Sequence, residues 1–290
     1  MLECPGRWMA TAVSCAFAML AAPPAAGQAA PDLDVPYVTT PDQVVDAMLA
    51  LAGVSARDVV LDLGSGDGRI VITAATRFGA RGMGVEIDPA LVQLSNENAR
   101  KAGVADRVRF VEQDLFATDL TQATVITMYL LPDVNLKLRP ELLKLRPGTR
   151  IVSHDWDMGD WQPDGKLVLD VPEKKLGLEK KSTLMLWKIP AVVEGSWSSG
   201  KRLRLSLRQH YQQLEGTVTY HGQTYTDASG RVDGTRVHLC FTHHDPGHCR
   251  LGALGQLTGG ELRLLIDGAG RQQITVIARK DGAHGPKKAR

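Results

Sequence analysis

Apolar positions along residues 36–190 recur in two alternating rhythms. Short strips such as Val59-Val60-Leu61-Asp62-Leu63 are almost unbroken, whereas the stretches between them place apolar residues three and four apart. The strips read as buried strands and the stretches as amphipathic helices, and their alternation predicts an α/β unit with a parallel sheet. Thr40-Pro41-Asp42-Gln43 has the form of a helix start, with Thr40 capping, Pro41 at the first helical position and Gln43 closing a capping box. Val44, Met48 and Leu51 then share a face, and Ile70, Ala74 and Phe78 do the same after the first strand. Further strands are expected at 82–86, 108–111, 123–130 and 150–153, with helices at 89–102 and before Pro147-Gly148. Residues 166–171 and 182–187 are separated by only ten residues, too few for a crossover helix, so they are predicted to pair antiparallel.

From Gly195 the rhythm changes to short alternating strands broken by Gly-rich turns: Trp197, 203–207, 216–220, 223–225, 236–239, 261–266 and 273–277. That pattern predicts a small all-β domain, either a meander or a lipocalin-like barrel. The expected organisation is an α/β domain over 31–190, a β-rich domain over 191–282 and a tail over 283–290.

Composition supports two folded domains. The 290 residues are 43% hydrophobic and 23% charged, with a net charge of +2. A balance so near zero argues against a chain built mainly to grip nucleic acid or anionic membrane. The charge is unevenly spread: residues 191–290 carry 14 basic and 8 acidic side chains, and the rest of the chain is net −4.

Residues 1–29 read as a signal peptide. Arg7 precedes an apolar run over 8–22, shorter than the roughly 20 residues that span a bilayer, and Pro23-Pro24 and small residues lead to a cut near Ala29. Export to the periplasm is therefore expected, with an uncleaved inner-membrane anchor as the alternative. Beyond the leader only Cys240 and Cys249 remain. In an oxidising compartment they read as a disulfide. A metal site and free thiols stay open as alternatives, because His238, His243, His244 and His248 lie in the same stretch, though at no recognised zinc spacing. No metal site is assigned.

The chemistry concentrates at Asp62-Leu63-Gly64-Ser65-Gly66-Asp67-Gly68-Arg69, where a strand turns through glycines into a helix. A dinucleotide fingerprint needs glycine at 64, 66 and 69, and position 69 is Arg. Asp62 and Asp67 around the turn favour a ligand that presents an ammonium or hydroxyls rather than a pyrophosphate. Glu86 ends the second strand, where a carboxylate can take two hydrogen bonds from a ribose diol. Asp114 follows the third, where an acceptor suits an exocyclic amine. All three acids sit at carboxyl ends of strands, where open α/β sheets bind ligands.

These residues resemble the class I S-adenosylmethionine-dependent methyltransferases over 36–190. The resemblance implies a Rossmann-like seven-stranded methyltransferase sheet and S-adenosyl-L-methionine as cofactor. Asp62, Gly64, Ser65, Gly66 and Asp67 would face its methionine part, Glu86 its ribose, and Asp114 with Leu115 its adenine. Pro36-Tyr37-Val38, the run from Asp62 to Ile72, and Gly84-Val85-Glu86 are similar to the lysine methyltransferases of membrane proteins. In that subgroup the Pro-Tyr segment lies over the cofactor, which makes Tyr37 and Thr40 contacts and a protein lysine amine the implied acceptor. There is no Asn/Asp-Pro-Pro-aromatic motif, which argues against base-amine methylation.

In-line methyl transfer needs alignment of the acceptor and, for an amine, loss of a proton. Tyr129, Asp133, Asn135, His154 and Asp155, near the fourth and fifth strand ends, are the polar groups expected there, with Trp156 and Trp161 as walls. The acceptor is not identified by the sequence, no nucleic-acid partner is expected, and membrane contact through the basic C-terminal domain stays open. Export and a cytoplasmic cofactor pull in opposite directions, so an exported, non-catalytic binding module on the same fold is the alternative.

Overall fold

The two rhythms become two sheets. A computed structural model describes residues 38–174, 180–242, 249, 251–267 and 273–281. The leader, Tyr37, His243, His244, His248 and the tail from residue 283 lie outside the described residues.

The first part runs α1 (Asp42–Leu51), β1 (Val59–Leu63), α2 (Arg69–Phe78), β2 (Arg81–Glu86), α3 (Pro89–Lys101), β3 (Val108–Glu112), β4 (Val125–Met128), α4 (Pro132–Leu142), β5 (Arg150–His154), β6 (Gly165–Asp170) and β7 (Lys181–Lys188). The strands form one sheet in the order β3-β2-β1-β4-β5-β7-β6. Strands β1 to β5 pair in parallel, and β7 lies antiparallel to both β5 and β6. This is the Rossmann-like seven-stranded sheet that the resemblance implied. Strand order reverses between β1 and β4, so a crevice opens at their carboxyl ends. One face of the sheet buries Leu61, Leu63, Ile126, Met128 and Trp187, and the other buries Val60, Val125 and Val152 against Val44, Met48 and Leu49 of α1.

The expected capping box does not form. α1 begins at Asp42, Pro41 occupies the cap position, and no side chain caps the helix. Both predicted capping side chains have distant partners instead: Thr40 Oγ1 lies 3.5 Å from His154 Nδ1, and Gln43 donates to Glu173 Oε1 at 2.9 Å. Tertiary hydrogen bonds replace the local pair.

The second part is a closed antiparallel barrel of β8 (Gly195–Ser199), β9 (Leu203–His210), β10 (Gln213–Tyr220), β11 (Gln223–Asp233), β12 (Arg236–Thr242), β13 (Leu251–Thr258), β14 (Glu261–Asp267) and β15 (Gln273–Lys280), with β15 returning to β8. Strand β13 has no counterpart in the sequence reading. Its Gly252 and Gly255 read as a break, yet at Gly255 a Cβ would sit 2.4 Å from the Arg263 carbonyl, so close strand approach excludes a side chain there. The barrel closes over its own core, with Trp197, Leu205, Val218, Phe241, Leu262 and Ile266 buried together. Cys240 and Cys249 are joined by a disulfide, with Cα atoms 5.3 Å apart. Among the described residues no group of His, Cys, Asp and Glu could hold a metal ion, and no helix is long and apolar enough to cross a membrane.

The barrel is fastened to the loop that follows β5. Trp161 Nε1 donates to Gln212 Oε1 at 3.0 Å, Gln212 Nε2 donates to the Gln162 carbonyl at 2.7 Å, and the Tyr211 ring stacks on Trp161 at 5.6 Å. Arg231 pairs with Asp164, and Lys188 with Asp233 at 3.0 Å. Trp161, expected as an acceptor wall, is therefore part of this joint.

Candidate functional site

The crevice at the strand ends is a cleft with an empty volume of about 1030 Å³, open solvent at its mouth included. It is lined by residues from five of the expected places: Thr40, the turn from Gly64 to Asp67, Glu86, Asp114 with Leu115, and Asp62 at its floor. Tyr129 completes the wall.

The turn is held in shape by backbone chemistry. Gly68 begins α2 with φ 82°, a conformation that disfavours side chains. A Cβ there would also meet the Phe110 ring at 2.6 Å. Gly64 and Ser65 both donate backbone N–H groups to the Val85 carbonyl, at 3.0 and 2.9 Å, which ties the turn to β2. Gly66 N donates to Glu86 Oε2 at 2.9 Å, while Glu86 Oε1 accepts from Ile87 N at 2.8 Å and Asp88 N at 3.2 Å. A carboxylate has about four acceptor positions. Three are engaged, so Glu86 has room for one further donor rather than the two expected from a diol.

Asp62 is 2% exposed, and its Oδ1 accepts from Thr127 Oγ1 at 2.7 Å across the β1–β4 pair. Burial pushes its carboxyl up to about 7, and the neighbouring Glu86 and Asp67 charges push the same way against the Thr127 bond. Asp67 lines the cleft, but Arg69 occupies its carboxylate through Nε at 3.0 Å and a second nitrogen at 2.6 Å. The ammonium-binding role expected of Asp67 is thus countered by an adjacent cation, which leaves Asp62 as the acid at the floor. Ser65 Oγ is buried without a hydrogen-bond partner among the described residues. Asp114 Oδ1 caps the turn by accepting from Phe116 N at 2.8 Å.

A second cleft adjoins the first and shares Val38, Thr39, Arg69 and Tyr129 with it. Asp42, Gln43, His154, Glu173 and Lys174 also line it. The Tyr129 ring lies 3.9 Å from the His154 ring, and its hydroxyl donates to Asp155 Oδ2 at 3.4 Å. Burial, reinforced by the Asp155 charge, pushes the Tyr129 phenol up to about 12. Burial brings His154 down to about 4, with Lys174 adding to the drop and Asp155 opposing it. His154 Nε2 lies 2.8 Å from Ser182 Oγ.

The other expected polar groups stand apart. Asn135 is fully buried, and its amide nitrogen donates to the Trp156 and Asp157 carbonyls at 3.2 and 3.1 Å, so it holds a loop and reaches neither cleft. Asp133 is exposed in the first turn of α4 and lines neither cleft. The sequence reading missed Arg69, Ile87, Phe116 and Lys174. Arg69 and Phe116 had a signal, since each lies two residues after an acid already singled out. Lys174 had none.

Comparison with known proteins agrees with this geometry. A family described as the ANTKMT methyltransferase domain matches residues 62–165. A protein-lysine N-methyltransferase of Saccharolobus islandicus is 48% identical over 131 residues, 44% of this chain and 81% of the relative. The adenine nucleotide translocase lysine N-methyltransferase of Mus musculus is 38% identical over 133 residues, 45% of this chain and 57% of that protein. The chain thus spans little more than half of the mouse relative. Among solved structures, an RNA methyltransferase from Salinibacter ruber in complex with S-adenosyl-L-homocysteine is 54% identical with a TM-score of 0.50, covering 54% of this chain and 96% of that one.

Proposed function

This chain belongs to the S-adenosylmethionine-dependent methyltransferases, in the family of the ANTKMT methyltransferase domain, and from that premise we propose that its acceptor is a lysine side chain of a protein. Membership in an enzyme family sets aside the non-catalytic binding module. The relatives named as lysine methyltransferases support the choice of acceptor. The observation that carries it is the meeting of two clefts at Tyr129, one lined by the strand-end acids and one lined by Asp42, Gln43, His154, Glu173 and Lys174.

The residues present fit the cofactor. Its sulfonium supplies an already activated methyl group when bound. The buried Asp62 carboxyl and the orphan Ser65 hydroxyl would hold its polar amino-acid end, Glu86 has one acceptor position for a ribose hydroxyl, and Asp114 with Leu115 would take the adenine. Thr40 would cover the cleft from the start of α1. Tyr129, neutral across the working pH range, would meet the amine.

Incubating the purified chain with isotope-labelled S-adenosylmethionine and a cell extract, with separate protein and RNA fractions, tests the acceptor. Label on lysine nitrogen, absent with Asp62→Ala, is the expected result. Label confined to RNA would overturn the lysine reading and favour the chemistry named for the Salinibacter relative. The proposal includes export guided by residues 1–29, with membrane contact at the acceptor's location. Cell fractionation that finds only full-length chain in the cytoplasm would remove that part.

A further inference from the structure

We propose that Lys174 is a positioning residue that, through Asp155, sets which way the Tyr129 hydroxyl points at the junction of the two clefts. The inference rests on the amine-acceptor reading above. Lys174 is 8% exposed, and its Nζ pairs with Asp155 Oδ2 at 2.6 Å and also donates to the Lys181 carbonyl. Asp155 is itself fixed at both ends. Its backbone N–H donates to the Thr183 carbonyl at 2.7 Å, and its Oδ1 accepts from Thr183 N at 3.0 Å. It holds φ 65°, a left-handed conformation that surrounding structure must sustain. The same Oδ2 that receives Lys174 receives the Tyr129 hydroxyl at 3.4 Å.

A phenol has one proton to give. With that proton committed to Asp155, the Tyr129 oxygen has only lone pairs to offer at the junction. An amine entering the second cleft meets an acceptor there, donates an N–H to it, and keeps its own lone pair uncommitted. A free Tyr129 rotor could instead donate to that lone pair and block it. The proton of an incoming ammonium leaves to water before transfer.

The groups facing this junction are Tyr129 just after β4, His154 at the end of β5 and Asp155 just after it, Glu173 and Lys174 after β6, Asp42 from α1 and Arg69 from α2. Glu173 is engaged by Gln43, and Arg69 by Asp67 and Asp42. His154 Nε2 lies 3.5 Å from Asp155 Oδ2, so His154 reports on the charge that Lys174 balances.

The test uses the full chain, without cofactor for one readout. In wild type the His154 ring, assigned with His154→Gln, is expected to titrate near 4 by NMR. In Lys174→Met the titration is expected to move up by about one unit or more, because the Asp155 charge is no longer balanced, and Lys174→Arg is expected to restore it. Turnover with an amine acceptor is expected to fall on the order of 10- to 100-fold in Lys174→Met at unchanged cofactor KM, with recovery in Lys174→Arg. Asp155→Asn breaks the same link and gives the same loss of turnover should Lys174→Met not fold. An unmoved His154 titration, or wild-type turnover in Lys174→Met, would overturn the assignment. If the wild type methylates no amine, the acceptor reading fails separately, and the cofactor-free titration still decides whether Lys174 governs this cluster.

Discussion

Thr127 and Asp62 stand side by side on β4 and β1, and the Thr127 hydroxyl donates to the Asp62 carboxyl at 2.7 Å inside the sheet. Among the described residues, the bond gives a nearly inaccessible acid its one side-chain donor at the floor of the cleft.

This has a measurable cost in the chain without ligand. The folded Asp62 carboxyl sits near 7, above its ordinary value of 3.8, so the folded state holds this proton more tightly than the unfolded state. The stabilisation is present below about pH 4 and is lost as pH rises through 7. Asp62→Asn keeps an acceptor for Thr127 and removes the charge. The variant is expected to exceed wild type in stability by roughly 1–4 kcal/mol at pH 8, with the gap closing toward pH 4, and to lose cofactor binding. Urea titrations at several pH values check the first part and calorimetry the second.

Glu86 joins the glycine turn to the end of β2 by accepting three backbone N–H groups. Glu86→Ala leaves all three to water and removes the remaining acceptor position. Cofactor affinity is expected to fall about 10- to 100-fold, following the ~1.5–3 kcal/mol of a hydrogen bond to a charged group. Titration calorimetry gives the number, and wild-type affinity in the variant would count against the ribose assignment.

Gly84 is a glycine for lack of space. A Cβ there would meet Phe110 Cδ1, Ser65 Cβ and Ser65 Oγ, each at 2.5 Å. Gly84→Ala is expected to cost about 1–3 kcal/mol and to weaken cofactor binding by displacing Ser65. Thermal unfolding and a binding titration measure the two effects.

Gln212 is 1% exposed and satisfies the buried Trp161 indole. Gln212→Ala strands that N–H, and destabilisation by about 1–3 kcal/mol is expected. Because the loss falls at the joint between barrel and sheet, the melting transition is expected to broaden or split in calorimetry. One sharp, unshifted transition would contradict a joint that couples the two parts.

The strand-end acids were legible because each lies within two residues of the carboxyl end of a strand-like strip, and a parallel sheet places all such ends on one edge. Lys174 was not legible, because it lies in a connection with no periodic pattern and meets Asp155 only where β6 and β7 fold back beside β5. Asn135 and Trp161 were placed at the correct edge and given the wrong task. Sequence spacing locates a residue near a strand end but does not say whether its polar atoms face a cleft or are taken by a loop carbonyl or the barrel.

By itself, then, the sequence determined the alternating architecture, an all-β second part that was either barrel or meander, and the acids that face the cleft, all of which follow from periodicity and from glycines at turns. Tertiary structure alone decided barrel closure through β13, the partners that displaced the α1 capping box, and the cluster around Asp155. Those depend on which side chains meet across long chain separations, where hydrogen bonding and burial are set by neighbours in space and local pattern carries no record of them.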